Sequence, residues 1–258
     1  MCLILLTGSA AFVPLRAQET VQSRSESVAQ AVRRVGTGTL RLQFKARPGV
    51  CGSGQSMSFS STDRSRRNGE WESECEAGPV RVAIDLRDGS PTSLRYYVGG
   101  RWGANGAAID AGSVAASDAG AWFVRLAESG SGKVAREAIT VATLADSSTV
   151  WPTLLRIAKD EGRARELRKS AVFWLGQAAS DATAALNGLI EDEDSDVEVR
   201  KSAVFALSQR PNGEGVASLL SIARGKLDPR VRRQAIFWLG QSGDSRAVAY
   251  FEEVLMKP

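Results

Sequence analysis

An eleven-residue phrase occurs three times near the C-terminus: LRKSAVFWLGQ at 167–177, VRKSAVFALSQ at 199–209 and VRRQAIFWLGQ at 231–241. The spacing is 32 residues both times, and a fixed period of that order is the mark of a repeat architecture. Winding the phrase at about 100° per residue sets Leu167, Ala171, Trp174, Leu175 and Ala178 on one face. That is the spacing of a helix with one core-facing stripe. A second apolar-periodic stretch lies between phrases, at Ala184–Ile190, Val216–Ala223 and Val248–Leu255, with WPTLLRIAK (151–159) in the matching place before the first. Each unit is therefore expected to be a helix pair. Turn and N-cap residues punctuate the pairs: SD at 180–181, PNG at 211–213, DP at 228–229 and SGDS at 242–245. One pair cannot bury its own stripe, and pairs stacked side by side make a continuous core, which predicts an α-solenoid.

A short LLxxL helix, a turn with Asp, then Leu-Arg or Val-Arg opening an Ala-rich helix resembles HEAT repeats, of the short variety also found in phycobilisome-lyase-like proteins. In that family the turn Asp and the Arg of the next helix stack into a ladder between neighbouring repeats. The resemblance assigns that ladder to Asp196 with Arg200 and Asp228 with Arg232. Ala164 stands four residues before Arg168 in the first unit, so the ladder is expected to stop there. The resemblance covers roughly residues 133–258, with VAREAITVATLA (134–145) as a degenerate upstream unit. It implies a protein-binding module more readily than a catalyst.

Opposite the core stripe, the positions two, six and ten after the leading Leu or Val share a side of the helix. They read Lys169, Phe173, Gln177; Lys201, Phe205, Gln209; Arg233, Phe237, Gln241. A cation, an aromatic and an amide, three times over, suits a binding groove in which Phe supplies area and the polar groups supply orientation. The competing reading is that the Phe residues lean sideways and close the seam between helices. Trp174 and Trp238 fall on the core side, and Ala206 in the middle unit is read as the small partner that leaves room for them.

The N-terminus MCLILLTGSAAFVPLRAQ has an apolar run from Leu3 to Val13 and a small residue at Ala17, the pattern of a secretory signal peptide over residues 1–17. No Lys or Arg precedes the run, and it is too short to be a membrane span in a mature protein. Without Cys2, the cysteines that remain are Cys51 and Cys75, and a pair in an exported chain is expected to form a disulfide. Removing residues 1–17 leaves 32 basic and 29 acidic side chains, too even a balance for a nucleic-acid-binding stripe.

Residues 18–105 change period. ETVQSRSESVAQAVRR (19–34) reads as a helix with Val28, Ala31 and Val32 inward, stopped by Gly36. Alternation then marks strands at Leu40–Phe44, Met57–Phe59, Trp71–Cys75, Val80–Leu86 and Leu94–Val98, with a polar loop over 60–69 and a hairpin turn at Asp88-Gly89. Residues 100–116, rich in Gly and Ala, read as a connector, and Trp122 and Phe123 as plugs for the first helix pair of the solenoid. The expectation is an α+β chain: a signal peptide (1–17), a helix plus a small antiparallel β domain tied by a disulfide (18–105), and an all-α HEAT-like solenoid of helix pairs (106–258).

The chain has no histidine, which removes Ser-His-Asp and Cys-His catalysis and histidine-ligated zinc. SGSGK (129–133) lacks the first glycine and the final Ser or Thr of a phosphate loop. Glu72, Glu74 and Glu76 share one side of a strand, which reads as a solvated face. Arg95, Tyr96, Tyr97, Arg101 and Trp102 form the front domain's aromatic and basic cluster. No catalytic residue, metal site or cofactor is expected. The favoured expectation is an exported, non-enzymatic adaptor that binds a protein or peptide on the repeat groove, with neither nucleic acid nor a stable membrane span. The alternatives are a lyase-like HEAT protein, a carboxylate-based hydrolase using Glu72 and Glu74, and a spacer that makes contacts through its ends.

Overall fold

The computed structural model describes residues 26–54, 57–58, 75–103, 106–146, 148–177 and 182–256. The expected signal segment, the strand residues Phe59 and Trp71–Glu74, the loop 60–69, Ala178 and the turn at 180–181 lie outside them.

Helix α1 (Val28–Val35) opens with a capping box, in which the Ser27 hydroxyl accepts from Gln30 N–H and the Gln30 side chain accepts from Ser27 N–H. It ends at Gly36, whose φ of 65° suits glycine. Its buried residues are Val28, Ala31 and Val32.

The sheet that follows has the order β5-β4-β1-β6, built from β1 (Gly38–Phe44), β4 (Val80–Arg87), β5 (Ser90–Val98) and β6 (Ala108–Ser113). Two short strands, β2 (Cys51–Gly52) and β3 (Met57–Ser58), pair separately. Asp88 (φ 51°) and Gly89 (φ 73°) form the two-residue hairpin turn between β4 and β5. The sheet is mixed rather than purely antiparallel, because β6 runs parallel to β1. Strand β6 also occupies the stretch expected as connector. It lies at the sheet edge with both faces largely exposed, so no apolar alternation marks it. Cys51 and Cys75 form the expected disulfide, with Cα atoms 5.1 Å apart. It anchors the β2 hairpin beside the end of β5, where a Cβ on Gly99 would sit 2.5 Å from Gly52 O.

The rest is helical: α2 (Ala116–Ser129), α3 (Gly132–Leu144), α4 (Trp151–Lys159), α5 (Arg165–Gln177), α6 (Ala182–Glu191), α7 (Val197–Ser208), α8 (Val216–Arg224), α9 (Pro229–Gln241) and α10 (Ser245–Met256). Second helices α3, α5, α7 and α9 pack on one another in sequence, and first helices α2 and α4 flank them on one side. The first pair is shared with the front domain. Helix α3 lies under β4 and β5, and Phe123 of α2 is fully buried against Phe44 of β1, ring centroids 6.4 Å apart. Phe123 thus joins the two parts instead of only plugging a helix pair. Val28 N–H donates to Asp118 of α2 at 2.8 Å, and Arg47 N–H donates to Leu144 O at 2.8 Å. A single apolar cluster runs from Val28 to Tyr250.

Candidate functional site

The residues opposite the core stripe sit on α5, α7 and α9, one set per helix. The three phenylalanines neither stand free nor disappear. Phe173 and Phe205 are half-buried, and Phe237 is 55% exposed. Phe173 stacks on Phe205 across the α5–α7 seam, centroids 6.3 Å apart and planes 15° from parallel. Phe205 meets Trp238 across the α7–α9 seam at 5.0 Å, and Trp238 meets Phe237 edge-on at 5.0 Å. Trp174 closes the other end, edge-on to Phe173 at 5.2 Å. Five rings therefore form one row across three helices. The row seals the seams along its length and opens to solvent at Phe237.

The flanking groups differ from unit to unit. Lys169 pairs with Glu166 at 3.5 Å and Lys201 with Glu198 at 3.1 Å, whereas Arg233 is exposed and forms no ion pair among the described residues. Gln177 is half-buried, and its backbone carbonyl accepts from Arg47 Nη1 at 2.8 Å, a tie back to the front domain. Burial pushes the Arg47 guanidinium below its ordinary value. Gln209 is exposed and donates to Ser208 Oγ at 3.2 Å, and Gln241 is exposed. Trp174 is core at 6% exposure, but Trp238 is only half-buried because it belongs to the row. Ala206 has a close neighbour of its own. It packs on Gly176, where a Cβ would stand 2.7 Å from the Ala206 Cβ, and so brings α5 and α7 together.

The expected Asp–Arg ladder is replaced by a different arrangement. Asp196 caps α7 by accepting from Glu198 N–H at 2.8 Å, and it takes Arg165 Nε of the preceding unit at 2.8 Å. The first unit therefore does join the chain of contacts, through Arg165 and not through position 164. Asp228 caps α9, accepting from Arg230 N–H at 2.7 Å, and is forked by the Arg230 side chain. That side-chain bond, more than the backbone one, holds the Asp228 carboxyl down at about 2, with a smaller contribution from the charge of Arg200. Arg200 and Arg232 bond neither aspartate. Arg168, Arg200 and Arg232 instead reach the C-terminal carbonyls of the first helix in their own pair: Ala158 O at 3.0 Å, Ile190 O at 2.8 Å and Ala223 O at 3.4 Å. A helix leaves its last carbonyls unbonded and partly negative, so a guanidinium is a natural partner.

In the aromatic and basic cluster of the front domain, Arg95, Tyr97 and Arg101 are exposed, while Tyr96 and Trp102 are half-buried. Trp102 lies between Arg41, 4.7 Å below its ring, and Tyr97, edge-on at 5.8 Å, while Arg95 is held by Asp85. Glu76 accepts from Gly100 N–H at 3.2 Å, whereas Glu72 and Glu74 lie outside the described residues.

Paired helices stacked in two rows at a period of 32 residues define an α-solenoid. Residues 185–258 match the family model of HEAT repeats, a type of repeat that generally mediates protein–protein interaction. A search of curated proteins finds no match to the chain. No helix among the described residues is long and apolar enough to cross a membrane.

Proposed function

We propose that this protein is an exported, non-enzymatic adaptor whose aromatic row on α5, α7 and α9 holds a protein or peptide segment. The supporting observation is the open end of that row. Phe237 is 55% exposed beside Arg233, a cation with no partner among the described residues. An exposed ring continuous with buried ones gives a ligand a firm apolar anchor, and the unpaired guanidinium sets its orientation. Export is supported by the signal-like start and by the disulfide, which persists in oxidising compartments.

The test begins with peptides selected from a displayed random library against the intact chain. Phe237→Ser is expected to weaken the selected peptides at least ~10-fold, the scale of a hot-spot ring, with the melting temperature nearly unchanged because the ring is mostly in water. Peptides that bind the variant as tightly as the parent would move the site elsewhere.

A further inference from the structure

The sheet has two edges, and the chain treats them differently. On β6, Gly112 takes a φ of 66° and gives its N–H to Asp110 Oδ1 at 2.7 Å, so that edge is bent and partly bonded to itself. Distortion of this kind discourages strand pairing. Strand β5 carries Pro91 near its start but no such device from Thr92 to Val98. Two bonds fix which way its backbone points. Gly99 N–H donates inward to Pro79 O at 3.2 Å, and Val98 O accepts outward from Gly54 N–H at 2.8 Å. In an antiparallel pair the direction alternates residue by residue. Arg95 and Tyr97 therefore bond β4, while Leu94, Tyr96 and Val98 aim N–H and C=O away from it. Gly54 occupies Val98, but the outward N–H and C=O of Leu94 and Tyr96 bond no described residue. Beside them runs a groove of about 550 Å³ lined by Met57, Tyr96, Tyr97, Lys133 and Glu137 among others.

We infer that β5 accepts an extended acidic segment of another protein as an added strand, a binding site separate from the aromatic row. The segment's backbone would complete the ladder at Leu94 and Tyr96, and its side chains would alternate between the two faces of the sheet. Below, they meet half-buried Met57 and Tyr96, with Lys133 and Glu137 of α3 paired to each other at 3.6 Å, which suits apolar residues. Above, they meet Arg95 and Tyr97. Asp85 is the only carboxylate in β1, β4 and β5, against Arg41, Arg81, Arg87 and Arg95. That excess of guanidinium groups selects aspartate or glutamate on the upper face. The same charges disfavour a second copy, since β5 against β5 would set one row of arginines beside another.

Residue-resolved amide hydrogen exchange on the intact chain reads the outcome, with a short blocked peptide of alternating valine and glutamate as the probe. In the free chain the Leu94 and Tyr96 amides are expected to exchange fast while those of Arg95 and Tyr97 are protected, and the peptide should slow the first pair. Tyr96→Pro is expected to weaken the peptide at least ~10-fold, with the β4 ladder intact because that N–H takes no part in it, and Tyr96→Val should retain binding. Methylating the peptide's backbone nitrogens tests the same contact without altering the protein and should cost a similar factor. Lysine in place of glutamate should weaken the peptide by about 10-fold, whereas Phe237→Ser should change nothing, which separates this edge from the aromatic row. Protection of Leu94 and Tyr96 in the free chain overturns the inference: if it grows with protein concentration the occupant is a second copy, and if it does not, the chain itself. A valine and glutamate peptide that fails to bind, tolerates methylation or binds no better than its lysine counterpart overturns it as well.

Discussion

Arginine at position 200 is 4% exposed, and what keeps so costly a group inside is a backbone carbonyl at the end of the preceding helix. The same solution recurs through the chain. Arg163 donates to Gly130 O and Arg210 to Gly176 O, besides Arg47, Arg168 and Arg232. Arginine makes up 26 of the 33 basic residues, and its planar fork explains the preference, since lysine offers one compact charge where these sites need directed N–H groups. The leading arginine of each phrase was visible in the sequence, but its acceptor was not, because a carbonyl leaves no trace in residue type. Small residues carry a comparable message. Helix-interior glycine normally costs ~1 kcal/mol relative to alanine, so Gly188→Ala on α6, where an added methyl meets nothing within 4 Å, should stabilise by about that amount. Gly176→Ala should instead destabilise by about 1–3 kcal/mol, because the new methyl collides with Ala206. Chemical denaturation of the two variants checks both signs.

Helices α1, α7, α9 and α10 are started by a local side-chain cap and placed by distant packing. Asp228 caps α9, and Asp244 accepts from Arg246 N–H at the start of α10. Both carboxyls are held at about 2, first by the side-chain bonds from Arg230 and Arg246. A carboxyl depressed in the folded state stabilises it fully above the ordinary carboxylate value of about 4. That contribution disappears as pH falls from there toward 2. Helical circular dichroism should therefore decline over that window. In Asp228→Asn with Asp244→Asn the decline should be shallower, because asparagine still caps but does not titrate. A variant that follows the parent curve would show that other carboxyls govern the acid transition. Strand β6 shows the opposite situation: nothing in AIDAGS announces a strand, and the chain adopts one because the open edge of β1 needs partners for its backbone.

The front domain and the solenoid share one core, so the molecule is expected to unfold as a unit. Phe44 against Phe123, the burial of α3 beneath the sheet and the Arg47 tie to Gln177 all cross between them. Heating should give coincident transitions in the near- and far-ultraviolet, and two separated transitions would contradict a shared core. Reducing Cys51–Cys75, which closes a loop of 24 residues, should lower the stability of the whole by about 3 kcal/mol. The shift is expected in the single transition and not in a separate front-domain one.

The 32-residue period, the cap residues and the alternation of Leu40, Leu42 and Phe44 were readable because helices and strands are written in local periodicity, and periodicity needs only neighbouring residues. The pairing of Cys51 with Cys75 was readable because, with Cys2 set inside the expected signal segment, no other partner remained. Which rings touch, which carbonyl an arginine finds and how far Trp238 leaves the core depend on residues tens of positions apart. Those were settled by packing, since the same phrase is sealed where another helix pair lies against it and open where none does.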